Sequence, residues 1–242
     1  MINLKFLKYE YTNKGYLIKI NCCIMKYPRT YHLPYSPGAT KDDKKLQDGW
    51  FKYYQGKEIV ITEKLDGENL HMTQKDCYAR SDGAPTRSPW SRNIWDPQNG
   101  LYWRIKGLIG PDETIFGENL YGEHSIHYNE LTDYFHLFAV NNGKYWYGWD
   151  GVKLFANVID VPHVPELWRG VVVDENSLKT LVDFYTKESS IYGDTREGVV
   201  IRITGSFPID EFKNNVCKWV RKDHVQTDEH WTKNWKKAEL IK

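Results

Sequence analysis

The chain has 242 residues, 40% hydrophobic and 27% charged, with a formal net charge of +1. That length suits one large domain, or one domain with a small appendage, with ample apolar material for a core. The balanced charge makes no global case for a polyanionic partner, and no apolar run approaches the ~20 residues of a membrane span.

In chain order, the start "MINLKFLKYEYTNKGYL" carries charges through every apolar stretch, so it reads as neither signal peptide nor anchor, and a soluble cytoplasmic protein is expected. "LKFLKYEYTNKGYLIKINC" reads as a hairpin turning at Asn13–Gly15. Residues 1–60 hold eleven Lys or Arg against five Asp or Glu, which is either a solvated face or a phosphate-binding surface. Cys22 and Cys23 are adjacent, and with Cys77 and Cys217 they form no CxxC pair, so reduced thiols are expected. "YPRTYHLPYSPGATKDDKKLQDG" is loop-like and separates an N-terminal arm, residues 1–50, from the rest.

From residue 57 the signals are mainly strands. "KEIVITEK" runs into Asp66–Gly67, "NLHMT" and "CYARS" flank the polar turn "QKD", and "ETIFGENLYG" is followed by "YFHLFAV". "FHLFAV-NNG-KYWYGW" predicts a hairpin with Asn142–Gly143 in a tight primed turn. Helices are expected at "GVKLFANVID" and at "SLKTLVDFYTKESS", the second capped by Ser177, with Leu178, Leu181, Val182 and Tyr185 at helical spacing. "EGVVIRIT" and "VCKWVRK" close the domain as strands. Strands that mostly meet through hairpins argue for an antiparallel-rich α+β protein. A basic aromatic tail, residues 223–242, follows; it is either packed or RNA-facing.

One short stretch, "EKLDGEN" at residues 63–69, raises a chemical question. By itself Lys64 beside an Asp-Gly pair reads as a solvated turn lysine. Downstream, however, come "YARSDG", "IFGENLYG", "YFHLFAV", "EGVVIR" and "CKWVRK", in that order and each at a strand or strand end. Over residues 57–226 this series resembles the covalent nucleotidyltransferases: ATP-dependent DNA and RNA ligases and mRNA-capping guanylyltransferases. Within them it is similar to the phage-type RNA ligase 2 branch, for which the host cytoplasm would be the location.

The resemblance implies a nucleotidyltransferase (adenylation) domain, with antiparallel-rich sheets and flanking helices around a nucleotide cleft. It also implies an ATP-dependent RNA ligase using Mg²⁺ or Mn²⁺. Lys64 would be the nucleophile that becomes linked to AMP, with Gly67 permitting the turn and Asp66 bracing it. Glu63 resembles the residue at the adenine edge, and Arg80 the basic residue touching nucleotide and RNA. Glu118 resembles the ribose-binding carboxylate, Phe138 the ring that stacks on adenine, and Glu197 the metal-binding carboxylate. Lys218 resembles the terminal-motif cation at the α-phosphate. Free lysine has a pKa near ~10.4, so a site using its amine must place positive charge nearby, and carboxylates alone would do the reverse.

The last motif departs from the common K-x-K: Arg221 falls on the opposite face of a regular strand from Lys218, so the second cation is Arg221 or Lys222. Other readings stand beside these. Glu118 could be a structural carboxylate, Phe138 a core residue, and Glu197 half of a surface ion pair with Arg196. His124 and His127 lack the further ligands a zinc site needs. A DNA ligase, a GTP-dependent capping enzyme and an inactive nucleic-acid-binding relative remain rivals. Twenty residues follow Lys222, fewer than the C-terminal module usual in this branch. Residues 1–60 or a protein partner are therefore expected to recognise the RNA ends, a 5′-phosphate and a 3′-OH.

Overall fold

The computed structural model describes residues 7–11, 17–21, 25–80, 83–222 and 234–241. Strands β1 (Leu7–Tyr11) and β2 (Leu17–Asn21) pair antiparallel, as the alternating sequence predicts. The expected Asn13–Gly15 turn, Cys22 and Cys23 lie outside the described residues, as does the tail over 223–233.

Two sheets make the body. The first contains β3 (Tyr31–His32), β4 (Glu58–Lys64), β10 (Glu166–Val171), β11 (Gly198–Ile203) and β13 (Val216–Val220), in the order β10-β4-β11-β13-β3. The second contains β5 (Glu68–Thr73), β6 (Cys77–Ala79), β7 (Thr114–Asn119), β8 (Phe135–Asn141), β9 (Tyr145–Trp146) and β12 (Phe207–Pro208), in the order β12-β9-β8-β7-β5-β6. Every pairing between these strands is antiparallel except β13 with β3. With two main helices, α3 (Trp149–Val158) and α4 (Glu175–Tyr185), and short helices α1 (Arg92–Trp95), α2 (Leu101–Ile105) and α5 (Phe212–Asn215), this is the expected antiparallel-rich α+β class.

Central strands are continuous apolar runs because both faces are covered. Ile59, Val60 and Ile61 of β4 are all fully buried. One face of the first sheet packs on α4, through Leu178 and Val182, and on Trp50, Phe51 and Tyr54. The larger core gathers around the second sheet.

Several expectations shift. Asp174, not Ser177, caps α4: its Oδ1 accepts the Ser177 amide at 2.7 Å, which satisfies one open donor of the first turn. In the β8–β9 hairpin the Asn142 amide donates to the Tyr145 carbonyl at 3.1 Å, so Gly143 and Lys144 are the central residues. Of the two only Gly143 has positive φ, 81°. That is the glycine-first pattern of a II′ turn, shifted by one residue from the predicted pair. The described end of the tail packs on the body: Ala238 donates its amide to the Tyr121 carbonyl at 2.9 Å, and Lys237 lies 5.2 Å from the Tyr121 ring centre. No described helix is long and apolar enough to cross a membrane.

Candidate active site

Lys64 ends β4 where the chain leaves one sheet for the other; Leu65, Asp66 and Gly67 make the crossing to β5. The connection is therefore not a hairpin turn. Asp66 braces it from a distance, its Oδ2 accepting the amides of Ser125 and Ile126 at 2.8 and 2.9 Å. Gly67 is required by close approach: a Cβ there would lie 2.6 Å from the Asn119 carbonyl oxygen. A backbone that close to Asn119 lets the Gly67 amide donate to Glu118 Oε1 at 3.1 Å.

Register builds the rest. Across β4, β11 and β13, Thr62 faces Val200, which faces Lys218, while Lys64 faces Gly198. Opposed residues share a face and alternate along each strand, so Thr62, Lys64, Val200 and Lys218 point the same way. From the second sheet, Asn69 faces Glu118. Phe138 sits in a β-bulge, since Gly117 pairs with Leu137 and Phe116 with Ala139, leaving Phe138 as the extra residue. Such a bulge redirects a side chain out of the regular alternation. Arg202 holds it, its Nη1 donating to the Phe138 carbonyl.

Between the sheets is a cavity of about 310 Å³ lined by Lys64, Arg80, Glu118, Phe138, Arg202 and Lys218 among others. Glu197 stands beside Lys64, only 4% exposed, with Oε2 2.6 Å from the Lys64 ammonium. The structure thus brings together Lys64, Arg80, Glu118, Phe138, Glu197 and Lys218. Glu197 is not a surface partner of Arg196, whose guanidinium instead lies 3.6 Å from the buried Glu63. The Glu63 carboxylate is directed away from the nucleotide side, accepting from Ser190 Oγ at 2.5 Å and the Ile191 amide at 3.1 Å. Glu63 still lines the cavity, but its carboxylate serves the 190–196 loop. Neither Arg221 nor Lys222 lines the cavity; β13 ends at Val220, and the Arg221 amide donates to the Glu197 carbonyl at 3.0 Å. Phe138 is both things at once, a cavity wall and a member of the larger core. His127 pairs with Glu123 at 2.7 Å, and no group of three or more His, Cys, Asp or Glu suited to a metal occurs among the described residues.

Sequence reasoning missed Tyr27, Arg29, Thr30 and Asp43, which also line the cavity. The parallel pairing of β3 with β13, Tyr31 to Cys217 and His32 to Lys218, brings that segment in. It also missed Arg202, although its position was visible at the end of "EGVVIR"; among the described residues it has no carboxylate partner, and burial lowers its pKa.

The electrostatics are those of a pair waiting to be separated. Burial opposes the charge on Lys64, but Glu197, Glu118 and Asp66 outweigh it and raise its pKa, so the amine is protonated. Burial raises Glu197, against Lys64. Burial pushes Glu118 up to about 8, against the nearby Lys64 ammonium, so it is largely protonated at neutral pH. Burial, then repulsion from Lys64, brings Lys218 down to about 8. The arrangement offers a masked amine, a hydrogen-bonding carboxyl group, an aromatic wall and several cations suited to phosphate.

Comparisons with known proteins were made on this geometry. A family model described as RNA ligase matches residues 57–220. Among solved structures, a putative ATP-dependent DNA ligase from Aquifex aeolicus aligns with TM-score 0.54 and 18% identity, over 89% of this chain and 57% of that one. An archaeal ATP-dependent RNA ligase aligns with TM-score 0.51 and 13% identity, over 88% and 51%. A Naegleria gruberi RNA ligase mutant with ATP and Mn aligns with TM-score 0.51 and 12% identity, over 84% and 57%. At these identities the likeness is one of fold, and the chain spans between half and three fifths of each structure's length. Comparison with curated proteins gives no match.

Proposed function

The chain belongs to the RNA ligase family, and on that premise we propose that it is an ATP-dependent RNA ligase acting through a lysyl-AMP at Lys64, within the phage RNA ligase 2-like branch. The observation that carries this reading is the convergence of Lys64, Glu118, Phe138, Glu197 and Lys218 on one cavity, from strands of two different sheets. A surface turn lysine would have no such surroundings.

The neutral Lys64 amine attacks the α-phosphate of ATP; a P–N bond forms, the bond to the β-phosphate breaks, and pyrophosphate leaves. Phe138 stacks on the adenine, Glu118 binds the ribose, and the main chain of Glu63 faces the base. Lys218, with Arg80, offsets charge on the phosphoryl oxygens, a term realised most fully in the transition state. The AMP then passes to an RNA 5′-phosphate, giving a 5′–5′ pyrophosphate and restoring the amine. A 3′-OH attacks that activated end, forming the phosphodiester as AMP leaves. Positioning and charge neutralisation supply most of the rate.

Glu197 would hold Mg²⁺ or Mn²⁺, hard ions that take one or two protein carboxylates together with substrate phosphates. The donor set fits, because a buried carboxylate stands beside the amine with Glu118 as neighbour. The ion would supply positive charge that favours the neutral amine. As Glu197 turns to it, Lys64 loses its strongest counter-charge. Residues 1–50 are read as an N-terminal arm or subdomain of a single nucleotidyltransferase domain, and 223–242 as its tail. The buried, free thiols of Cys77 and Cys217 suit the cytoplasm.

The test is end joining. With ATP and Mg²⁺, a nicked RNA duplex bearing 5′-phosphate and 3′-OH should be sealed with release of AMP. Preference for nicked DNA, or dependence on GTP, would contradict the proposal in favour of a DNA ligase or a capping enzyme.

A further inference from the structure

Some 150 residues before Lys218 in the fold's closing strand, the chain builds a rim to the cleft that the family reading leaves without a task. Residues 25–57 are anchored firmly. Leu33, Trp50, Phe51 and Tyr54 are buried in the second core. The Leu33 amide donates to the Lys218 carbonyl at 2.8 Å, and the Gly38 amide to the Val220 carbonyl at 2.9 Å. Buried His32 bonds Ser36 Oγ at 2.9 Å, and its backbone is clasped by residues 44–46. Lys44 and Lys45 therefore flank the strand position directly beside Lys218.

On this rigid edge Arg29, Lys41, Lys44 and Lys45 are all exposed, and Arg29 reaches the cavity itself. Among the described residues none of the four forms an ion pair, whereas Arg87, Arg92, Arg104 and Arg169 on other faces each sit on a carboxylate. Lys44 lies instead over the Tyr31 ring, at 5.7 Å, and Lys45 donates to the Pro34 carbonyl at 3.3 Å. Asp42 and Asp43 are the local counter-charges. Asp43 is turned inward to Thr40, at 3.0 Å from its amide, and to His32. Cations held apart from carboxylates on a fixed backbone, leading into a cleft with a phosphate chemistry, fit a polyanion.

Resting on the function proposed above, we infer that Arg29, Lys41, Lys44 and Lys45 form the track that binds the phosphate backbone of the RNA and leads its 5′-phosphate end to Lys64. Each phosphate contact releases a counterion, so binding through this track weakens with salt. The partner is the RNA strand itself, not a protein.

The experiment compares wild type with the triple variant Lys41→Ala, Lys44→Ala, Lys45→Ala, none of which lines the cavity. A control triple, Lys144→Ala, Lys187→Ala, Lys213→Ala, makes the same charge change elsewhere. Binding of a 5′-phosphorylated RNA is measured across a salt series, and self-adenylylation with ATP is measured separately. The track variant should bind about tenfold more weakly, with the salt slope smaller by roughly 2, while the control matches wild type. Self-adenylylation should be equal in all three. Unchanged RNA affinity in the track variant, or equal loss in the control, overturns the inference. Failure of wild type to take up AMP would instead strike the proposed function, and the binding series would still decide the track by itself.

Discussion

At Lys64 two requirements conflict: the ligand-free protein needs a counter-charge for a buried ammonium, and the reaction needs a free amine. The 2.6 Å contact with Glu197 meets the first. The substitution Glu197→Gln should therefore lower the pH at which Lys64 becomes reactive towards an amine-selective reagent, while self-adenylylation falls because the metal contact is gone. An unchanged labelling midpoint would show that Glu197 does not hold the charge. Phe138 makes a second prediction. Base stacking on an aromatic ring contributes about 1–3 kcal/mol, so Phe138→Leu should raise the KM for ATP roughly tenfold with a small effect on thermal stability. An equal KM would leave Phe138 as core alone. These residues were legible because each falls in a short string at a strand end. Tyr27, Arg29 and Asp43 were not, because only the long-range pairing of β3 with β13 brings them to the cavity.

Elements carry their own tests. Asp174→Ala removes the cap of α4 and should cost about 1 kcal/mol in urea unfolding, whereas Ser177→Ala, at the residue expected to cap, should cost less. The second sheet should be acid-sensitive. Burial holds His71 on β5 down at about 4 and His136 on β8 at about 3. Both folded values lie below the ordinary ~6.5, so the unfolded chain binds more protons in between. Stability is thus complete above pH ~6.5 and declines as pH falls towards 4. The thermal midpoint should drop between pH 7 and 5, and His71→Phe should flatten that drop; an identical slope would remove His71 from the account. Sequence pattern located β4, β5, β7, β8, β11 and β13 because they are apolar runs bounded by turns. It passed over β10, an edge strand whose first five residues are all half-buried and show no alternation, and β3, which is two residues long.

At the scale of the molecule, the cleft exists because β4 ends in one sheet and β5 begins in the other, with Lys64 at the junction. The order of the motif strings along the chain revealed the adenylation fold before any pairing was known. It did not reveal that the segment before residue 50 forms one wall of the site. The account's central claim is a covalent bond between Lys64 and AMP. Incubation with α-labelled ATP or GTP and Mg²⁺, followed by peptide mapping, measures that bond directly in wild type and Lys64→Ala. Label from ATP, on the Lys64 peptide alone and absent from the variant, is the predicted result. Label that persists in Lys64→Ala, that comes only from GTP, or that never forms on wild type would contradict it.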